Sequence, residues 1–333
     1  MCCHAAGVSR KVLLAWPASR EELEIFEERV RGLAELACLK SGADLLQEIR
    51  DAEVVVSSRL PDEAILAAEK LRFIQSTSAG VDAFNFELLR ERGVMLASAK
   101  GCNARAVAEH ALTLLLALAK RVAFMDRKVK AGEWVPWTSE TYLDDLEGRT
   151  VGIIGYGRIG RELARMCKCL GMRVLAVRRR PPKEGRDEYA EFVGGLEDMK
   201  YVLSSSDYVV IALPLTPETE GLIGEDELRA MKRSAYLINV GRGRVIREEA
   251  LYRALKEGWI AGAAIDVWWE YPPSPGALSR LGVHKLENVV ATPHKAGWTR
   301  RARMRCLEFA AENVRKYLLG ERPLNLVDYS TRY

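Results

Sequence analysis

The sequence lacks any long apolar run, since none of its segments approaches the roughly 18 uninterrupted apolar residues of a membrane-spanning helix. Even the strongly apolar stretch 104–120 contains Arg105, Glu109 and His110. The N-terminus begins Met1-Cys-Cys-His and has no apolar core of a signal peptide. We therefore expect a cytoplasmic protein with no membrane partner. Internal repeats and low-complexity tracts are also absent, which argues against a repeat array or a disordered chain.

An excess of one charge is lacking as well. The 50 lysines and arginines stand against 46 aspartates and glutamates, the formal net charge is +4, and no long basic run occurs. A nucleic-acid partner is therefore not expected. The seven cysteines are odd in number and scattered, and Cys167 and Cys169, two apart on a predicted helix, point to different faces. We expect buried free thiols and no metal site.

Short apolar strands alternate with helices along most of the chain. The predicted strands cover residues 12–16, 54–57, 73–75, 94–97, 151–154, 173–177, 208–213, 235–240, 261–267 and 289–291. This alternation predicts an α/β protein whose parallel sheets carry helices on both faces. A chain of 333 residues suffices for two domains. We expect a dinucleotide-binding domain of residues 100–296, inserted into a domain of residues 1–99 and 297–333, with the active site in the cleft between them.

A glycine-rich turn lies where the second domain's first strand ends. The sequence Gly155-x-Gly157-x-x-Gly160 follows an apolar strand and opens a helix, the order that a dinucleotide fingerprint requires. Gly155 allows the tight turn, Gly157 lets the backbone approach a pyrophosphate, and Gly160 lets the helix pack close to the strand. The helix N-terminus offers free N–H groups to the anion. The residues predicted to bind the cofactor here are Gly155, Gly157, Arg158, Ile159 and Gly160.

An acid is missing where NAD-binding versions of this turn place one. That acid accepts hydrogen bonds from the ribose hydroxyls, about 20 residues after the glycines. Here strand 173–177 is followed by Arg178-Arg179-Arg180, with Lys183 beyond. We predict NADP as the cofactor, with Arg178 and Arg179 at its 2′-phosphate and NAD as the alternative. A solvated basic loop is the competing interpretation.

Seven motifs together resemble those of the D-isomer-specific 2-hydroxyacid dehydrogenases, which include glyoxylate/hydroxypyruvate reductases and phosphoglycerate dehydrogenases. They occupy residues 78–82, 103–110, 155–160, 213–219, 239–243, 264–267 and 292–294, and the likeness runs from about residue 70 to 320. The resemblance implies a flavodoxin-like substrate domain with an inserted Rossmann domain. It also implies a homodimer built largely on the predicted helix 103–130, and hydride transfer between a nicotinamide and a 2-oxo or D-2-hydroxy acid. That helix is apolar over most of its circumference, which independently indicates burial by more than one neighbour.

Two residues are predicted to carry the chemistry. Arg242 lies in a Gly-Arg-Gly turn beyond an apolar strand, where doubly wound sheets bind ligands, and its guanidinium can grip a carboxylate bidentately. His294 follows strand 289–291 and matches the family's catalytic histidine; an imidazole suits proton delivery near neutral pH. His110, inside the apolar helix, is interpreted as structural.

Further roles come from the resemblance. It implies that Asp266 meets the nicotinamide end of the cofactor, and that Ala79 and Gly80 bind the substrate carboxylate through backbone N–H groups. A turn after a strand can form such an anion-binding nest, although a mere turn is the alternative. The remaining cofactor contacts that the resemblance implies are Leu213, Pro214 and Val240.

The partner of His294 departs from the family pattern. The family places a catalytic glutamate five residues after the strand aspartate and directly before proline, where it raises the histidine pKa by stabilising imidazolium. This chain has Glu270 one residue early and Tyr271 in the glutamate's place. Either the loop shifts so that Glu270 reaches His294, which we favour, or Tyr271 replaces the glutamate. A merely exposed Glu270 is the third interpretation.

The function predicted is an NADP-dependent D-2-hydroxyacid dehydrogenase, with glyoxylate or hydroxypyruvate reduction as the hypothesis for its substrate class. A cofactor-sensing binding protein, like the family's corepressor branch, is the alternative, and chemistry on another small anion such as formate is a third. Trp134, Trp137 and Trp298 either wall the substrate pocket or pack in the core.

Overall fold

The computed structural model describes residues 10–271 and 278–331. The chain folds as two compact units. One comprises the described residues up to Asn103 together with those from Arg300 onward, and the other is Ala104–Thr299. Within the described ranges no helix is long and apolar enough to cross a membrane.

The first unit is a five-stranded parallel sheet in the order β2-β1-β3-β4-β5. The strands are β1 (Lys11–Leu14), β2 (Glu35–Cys38), β3 (Val54–Val56), β4 (Phe73–Gln75) and β5 (Met95–Ala97). The helices are α1 (Arg20–Val30), α2 (Leu45–Glu48), α3 (Asp62–Ala67), α4 (Phe86–Glu91) and, after the second unit, α11 (Arg300–Leu318). This is the flavodoxin-like strand order. The β-branched strand β3 is buried along its whole length because helices cover both faces of the sheet.

The second unit is a seven-stranded parallel sheet in the order β12-β11-β10-β9-β6-β7-β8. Its strands are β6 (Thr150–Ile154), β7 (Arg173–Val177), β8 (Phe192–Gly194), β9 (Tyr208–Ile211), β10 (Tyr236–Asn239), β11 (Gly262–Ile265) and β12 (Val289–Ala291). Its helices are α5 (Ala104–Ala119), α6 (Val122–Lys130), α7 (Arg158–Cys169), α8 (Met199–Ser205), α9 (Glu225–Ala230) and α10 (Glu248–Lys256). This is the Rossmann order with a seventh strand added. The fold class predicted from the sequence is confirmed.

The switch point of this second sheet lies between β6 and β9, because the chain proceeds from β6 toward β7 on one side and returns to β9 on the other. Ligands of doubly wound sheets bind beyond the carboxyl ends of the strands at such a point. The segments that follow β6, β9, β10, β11 and β12 therefore meet along one edge, and these segments contain most of the residues singled out in the sequence.

The helix predicted from residue 103 agrees with α5 as far as Ala119, and its extension toward residue 130 is a second helix, α6. Arg121 takes a left-handed conformation with φ of 49°, which ends α5 and begins α6. The apolar face of α5, which includes Ala108, Ala111 and Leu115, is buried in the core of the second unit. By contrast α6 has no buried residue.

The expectation that the cysteines are free thiols is wrong for two of them. Cys102 and Cys306 form a disulfide within the first unit and close a loop across 204 positions of sequence that contains the whole second unit. Loop-closure entropy predicts that such a link destabilises the unfolded chain by about 5 kcal/mol. Cys38, Cys167 and Cys169 are free, and burial raises the pKa of the Cys167 thiol to about 12. Cys2 and Cys3 lie outside the described residues.

Candidate active site

The glycine turn after β6 has the shape that a bound pyrophosphate requires. Gly155 has φ of 105°, and a Cβ added there would lie 2.8 Å from the backbone of Ala212. A Cβ at Gly160 would lie 2.8 Å from the carbonyl oxygen of Gly155, so α7 packs close to the strand. Gly157, by contrast, has open space above it and is the N-cap of α7. The turn therefore fits a dinucleotide whose phosphates approach Gly157 and the free N–H groups of the helix.

Basic side chains follow the next strand. Arg178 and Arg179, directly after β7, are exposed, and Arg158 on the first turn of α7 is exposed as well. The hydroxyl of Tyr156, inside the glycine turn, donates to Asp187 at 2.8 Å. Burial raises the pKa of Tyr156, and Arg178 is close enough for its positive charge to oppose that rise. Three exposed arginines thus lie beside the glycine turn and after β7, while the carboxylate of Asp187 is bonded to Tyr156 in the same region.

Arg242 is held at the end of β10 by a buried asparagine. The side-chain amide of Asn239 donates to the carbonyl of Arg242 at 3.0 Å, and its oxygen accepts from the N–H of Gly241 at 3.0 Å. Asn239 is almost fully buried, whereas Arg242 is half-buried. These two hydrogen bonds fix the turn from inside the sheet, and Nη1 of the Arg242 guanidinium donates to the carbonyl of Gly241 at 2.9 Å.

The glycines on either side of Arg242 permit two close approaches. A Cβ at Gly241 would lie 2.6 Å from the carbonyl oxygen of Leu213, which follows β9. A Cβ at Gly243 would collide with the backbone carbonyl of Trp268, which follows β11. Thus Leu213, the arginine turn and the loop after β11 are packed backbone to backbone.

Asp266, directly after β11, holds the turn that carries His294. Its carbonyl oxygen accepts from the N–H of His294 at 2.8 Å. Its carboxylate accepts from the hydroxyl of Thr292 at 2.6 Å and from the N–H groups of Lys295 and Ala296 at 3.0 and 3.1 Å. His294 has φ of 54°, a left-handed conformation that costs a non-glycine residue about 1–2 kcal/mol. The hydrogen bonds that Asp266 accepts from the turn offset that cost.

The Asp266 carboxylate stays ionised in this environment. Burial of its fully inaccessible side chain opposes the charge. The contact with His110 and the hydrogen bonds from Thr292, Lys295 and Ala296 outweigh burial and lower the pKa of Asp266 from 3.8 to about 2. A buried carboxylate at neutral pH is thus a fixed acceptor in the turn.

Tyr271, rather than Glu270, packs against the ring of His294. The two ring centroids are 5.1 Å apart and the planes are tilted by 58°. The hydroxyl of Tyr271 accepts a hydrogen bond from the N–H of Trp268 at 2.6 Å, which ties the loop back to the end of β11. Glu270 is exposed, and among the described residues it makes no hydrogen bond or ion pair. Residues 272–277, which complete this loop, lie outside the described ranges.

Ala79 and Gly80 belong to the other unit and lie on a half-buried bend after β4. Ser78 anchors this bend, because its N–H donates to the hydroxyl of Ser76 at 3.1 Å and its carbonyl accepts from Ala99 at 2.9 Å. Within the part of the chain that the structure describes, the N–H groups of Ala79 and Gly80 donate no hydrogen bond. They are therefore available to an anion.

The tryptophans expected to wall a pocket or pack in a core are exposed. Trp134 and Trp137 expose 78% and 93% of their surface, and Trp298 exposes 66%. Core packing is thus wrong for all three. A cavity of about 380 Å³ lies between α5, α6 and the residues Tyr236 and Val289, and none of these tryptophans lines it. These two residues begin β10 and β12, so this cavity lies at the amino ends of the strands, away from the glycine turn and His294.

Three residues of this site were assigned no catalytic or binding role in the sequence. Asn239 and Thr292 follow or end apolar strands, and His110 lies on α5, where its Nε2 is 3.1 Å from the Thr292 hydroxyl oxygen. A buried polar side chain needs a partner. A polar residue at the carboxyl end of an apolar strand was the available signal for Asn239 and Thr292. No sequence signal pairs His110 with residues that lie more than 150 positions away.

Comparison with known proteins agrees with this architecture. Residues 112–296 match the family described as D-isomer specific 2-hydroxyacid dehydrogenase, NAD binding domain. A glyoxylate reductase of Korarchaeum cryptofilum is 39% identical over 293 residues, which are 85% of each chain. A D-3-phosphoglycerate dehydrogenase of Archaeoglobus fulgidus is 37% identical over 91% of this chain and 56% of its own.

Solved structures are similar over nearly the whole chain. The TT0316 protein of Thermus thermophilus superposes with a TM-score of 0.78 at 33% identity, covering 96% of this chain and all of that one. An NADPH-dependent glyoxylate/hydroxypyruvate reductase of Sinorhizobium meliloti gives a TM-score of 0.78 at 25% identity, over 96% and 98%. A D-lactate dehydrogenase of Aquifex aeolicus, complexed with NAD and lactic acid, gives 0.78 at 26%, over 93% and 96%.

The pKa of Asp266 predicts how acid affects stability. Because its folded-state pKa is about 2 against an ordinary 3.8, the carboxylate stabilises the fold above pH 4, and that stabilisation is lost as the pH falls toward 2. The shift corresponds to about 2 kcal/mol. We expect urea unfolding to show that Asp266→Asn is less stable than the wild type at pH 6, by at least this amount, and that the gap narrows toward pH 2.5. Asp226→Asn, which alters an exposed carboxylate on α9, is the control. A gap that is independent of pH would contradict the assignment.

Proposed function

Because the chain belongs to the D-isomer-specific 2-hydroxyacid dehydrogenase family, we propose that it transfers a hydride between NADP(H) and a small 2-oxo or D-2-hydroxy acid. The observation that carries the proposal is the pairing of Arg242 and His294. They follow β10 and β12, the two strands that flank β11, so both belong to the same edge of the sheet as the glycine turn. This edge is where such a sheet binds its ligands.

The residues divide the reaction between them. The Arg242 guanidinium binds the substrate carboxylate and polarises the adjacent carbonyl. His294 delivers a proton to the carbonyl oxygen during reduction and removes it during oxidation. The cofactor, when bound, supplies or accepts the hydride. In this proposal Ala79 and Gly80 bind the substrate carboxylate as well, and Asp266 orients His294 besides meeting the nicotinamide end of the cofactor.

The cofactor residues follow from the same edge. Gly155, Gly157 and Gly160, with the N-terminus of α7, bind the pyrophosphate. Arg158 and Ile159 extend this set along the helix, while Leu213, Pro214 and Val240 contact the cofactor from the neighbouring strand ends.

NADP is favoured over NAD by the charges at the end of β7. Arg178 and Arg179 are exposed and no acid takes the position that would accept bonds from the ribose hydroxyls. The position of both arginines directly after β7 supports a 2′-phosphate site there. Relatives of both kinds occur, since the Sinorhizobium enzyme is NADPH-dependent and the Aquifex enzyme binds NAD.

Glyoxylate or hydroxypyruvate is the proposed substrate class. It is supported by the 39% identity to a glyoxylate reductase over 85% of this chain. The exposed Trp298 directly follows the His294 turn, and its ring lies 5.3 Å from the Lys295 ammonium. In this proposal Trp298 contributes to the selection among 2-oxo acids. A cytoplasmic location remains the prediction from the sequence.

Tyr271 is proposed as the partner of His294, in place of the family's glutamate. The ring contact of 5.1 Å and the hydrogen bond from Trp268 support it, whereas Glu270 is exposed. Tyr271 can orient the imidazole but carries no negative charge at neutral pH, because a phenol ordinarily titrates near pH 10. Imidazolium is therefore stabilised less than by a carboxylate.

Turnover with a panel of 2-oxo acids tests the function and the cofactor together. We expect reduction of glyoxylate or hydroxypyruvate, with kcat/KM higher for NADPH than for NADH. Arg178→Ser should raise KM for NADPH about tenfold, since it removes a charge-assisted hydrogen bond to phosphate. Lys183→Ser, in the same basic segment, is the matched control. A clear preference for NADH would defeat the NADP proposal, and cofactor binding without turnover on any acid would favour the sensing protein.

The pH profile of kcat/KM tests Tyr271. Tyr271→Phe removes the anchor to Trp268 and should lower kcat about five- to tenfold, as expected for one lost hydrogen bond. Tyr271→Glu should move the basic limb of the profile to higher pH, because a carboxylate favours imidazolium. Glu270→Gln should change nothing. If Glu270→Gln instead lowered kcat and moved the basic limb to lower pH, Glu270 would be the partner.

A homodimer is proposed from the apolar surface around α6. Val122 and Val129 of α6 are exposed, as are Trp134, Trp137 and Tyr142 in the segment that follows. Large exposed apolar side chains concentrated in one segment, here residues 122–142, are typical of protein–protein contact sites. We propose that a second copy covers it and fills the adjacent 380 Å³ cavity. Light scattering should give the mass of a dimer, and Trp134→Ser with Trp137→Ser should shift it toward monomer, unlike Leu66→Ser on α3. A wild-type monomer at micromolar concentration would contradict the proposal.

A further inference from the structure

His110 of α5 touches the hydrogen-bond network beneath the His294 turn. The ring is half-buried, and its Nε2 lies 3.1 Å from the Thr292 hydroxyl oxygen and 3.4 Å from the nearer oxygen of Asp266. The same Asp266 oxygen accepts from Thr292 at 2.6 Å. A histidine on a helix, a threonine at a strand end and a buried aspartate therefore meet around one carboxylate oxygen.

The number of hydrogens available in this network shows which group donates in the hydrogen bond between His110 and Thr292. The ionised Asp266 carboxylate can only accept hydrogen bonds, and a threonine hydroxyl has a single hydrogen to give. Because that hydrogen points to Asp266, the Thr292 oxygen faces His110 as an acceptor. Nε2 of His110 must therefore carry a hydrogen, whatever the charge of the ring. The direction of donation runs from His110 to Thr292 to Asp266.

This donation bears on the conformation of His294. Asp266 holds the turn through three N–H groups, those of His294, Lys295 and Ala296, and it holds His294 in a left-handed conformation. If the His110 donor is removed, the Thr292 oxygen is left without its donor inside the protein and the carboxylate loses one of the contacts that keep it ionised. The turn then becomes looser at the residue that must meet the substrate.

We propose that His110 is a positioning residue that acts on His294 through Thr292 and Asp266. Its catalytic consequence rests on the function proposed above, whereas its effect on the turn does not. His110 is linked to the backbone of the His294 turn only through the contacts of Thr292 and Asp266 described above, so in this proposal it orders the proton donor and does not itself donate a proton to the substrate.

A pair of His110 variants separates hydrogen bonding from packing. His110→Gln keeps an N–H near the position of Nε2, while His110→Leu has similar size and no donor. We expect His110→Leu to lower kcat about tenfold, with KM for cofactor and 2-oxo acid changed less than about twofold, and His110→Gln to restore most of kcat. Thr113→Ala, which removes a hydroxyl bonded to the carbonyl of Glu109 on the same helix, is the control. Equal losses in both His110 variants would assign the effect to packing and overturn the proposal.

The path through Thr292 is tested by a double-mutant cycle. Thr292→Val removes the hydroxyl at nearly constant volume. If His110 acts through Thr292, kcat of the variant with both His110→Leu and Thr292→Val should be at most about twofold lower than that of Thr292→Val alone. The reason is that the second substitution then removes no further interaction. Independent, multiplicative losses would show that His110 acts by another route and would overturn the proposal.

Hydrogen exchange provides a readout that needs no activity. The N–H groups of Lys295 and Ala296 bond to Asp266, so exchange in a peptide covering residues 292–298 reports the turn directly. We expect about tenfold faster exchange there in His110→Leu and little change in His110→Gln. This result without turnover in the wild type would retain the positioning role and reject the proposed function. Unchanged exchange in His110→Leu would reject the positioning role even if the wild type were active.

Discussion

A single buried carboxylate organises the candidate active site. Asp266 has no exposed surface, and its two oxygens and its carbonyl together accept from the hydroxyl of Thr292 and from three consecutive N–H groups that begin at His294. Burying a charge is costly unless it is fully hydrogen-bonded. The conformation that satisfies Asp266 is also the one that holds His294 in a left-handed backbone. Stability of the turn and placement of the imidazole therefore have the same physical cause.

The rest of the site depends on the parallel sheet of the second unit. In a parallel sheet every carboxyl end lies at the same edge, so segments separated by a hundred or more residues become neighbours. Backbone contacts make this edge rigid, since Gly241 packs on Leu213 and Gly243 packs on Trp268 without room for a side chain. Trp268 in turn donates its N–H to Tyr271. The arginine turn and the loop beside His294 are thus joined by a backbone contact and a hydrogen bond.

The exchange of glutamate for tyrosine beside His294 changes the electrostatics more than the geometry. A ring against a ring can hold the imidazole in place, but it supplies no full negative charge. The neighbouring Glu270, although only one residue earlier, is exposed. The register of a loop cannot be inferred from residue spacing alone, because one position decides which side chain faces inward. The hypothesis favoured from the sequence, that Glu270 reaches His294, stays untested but has no support from this arrangement.

Local pattern alone predicted the α/β class, the glycine turn, and the strands with dense apolar content, such as β4, β7 and β12, whose limits agree residue for residue. These features depend on the order of residue types along the chain, so they can be predicted without the three-dimensional structure. Strands β2 and β8 and the break at Arg121 were not foreseen, because β2 begins with the exposed Glu35, β8 has only two apolar residues before Gly194, and the break leaves helical periodicity intact. It is the folded chain that shows the pairing of Cys102 with Cys306, the packing of Tyr271 against His294, and the contact of His110 with Asp266. Such contacts join residues from different elements, and the energy of a contact depends on distance in space, which local sequence does not encode.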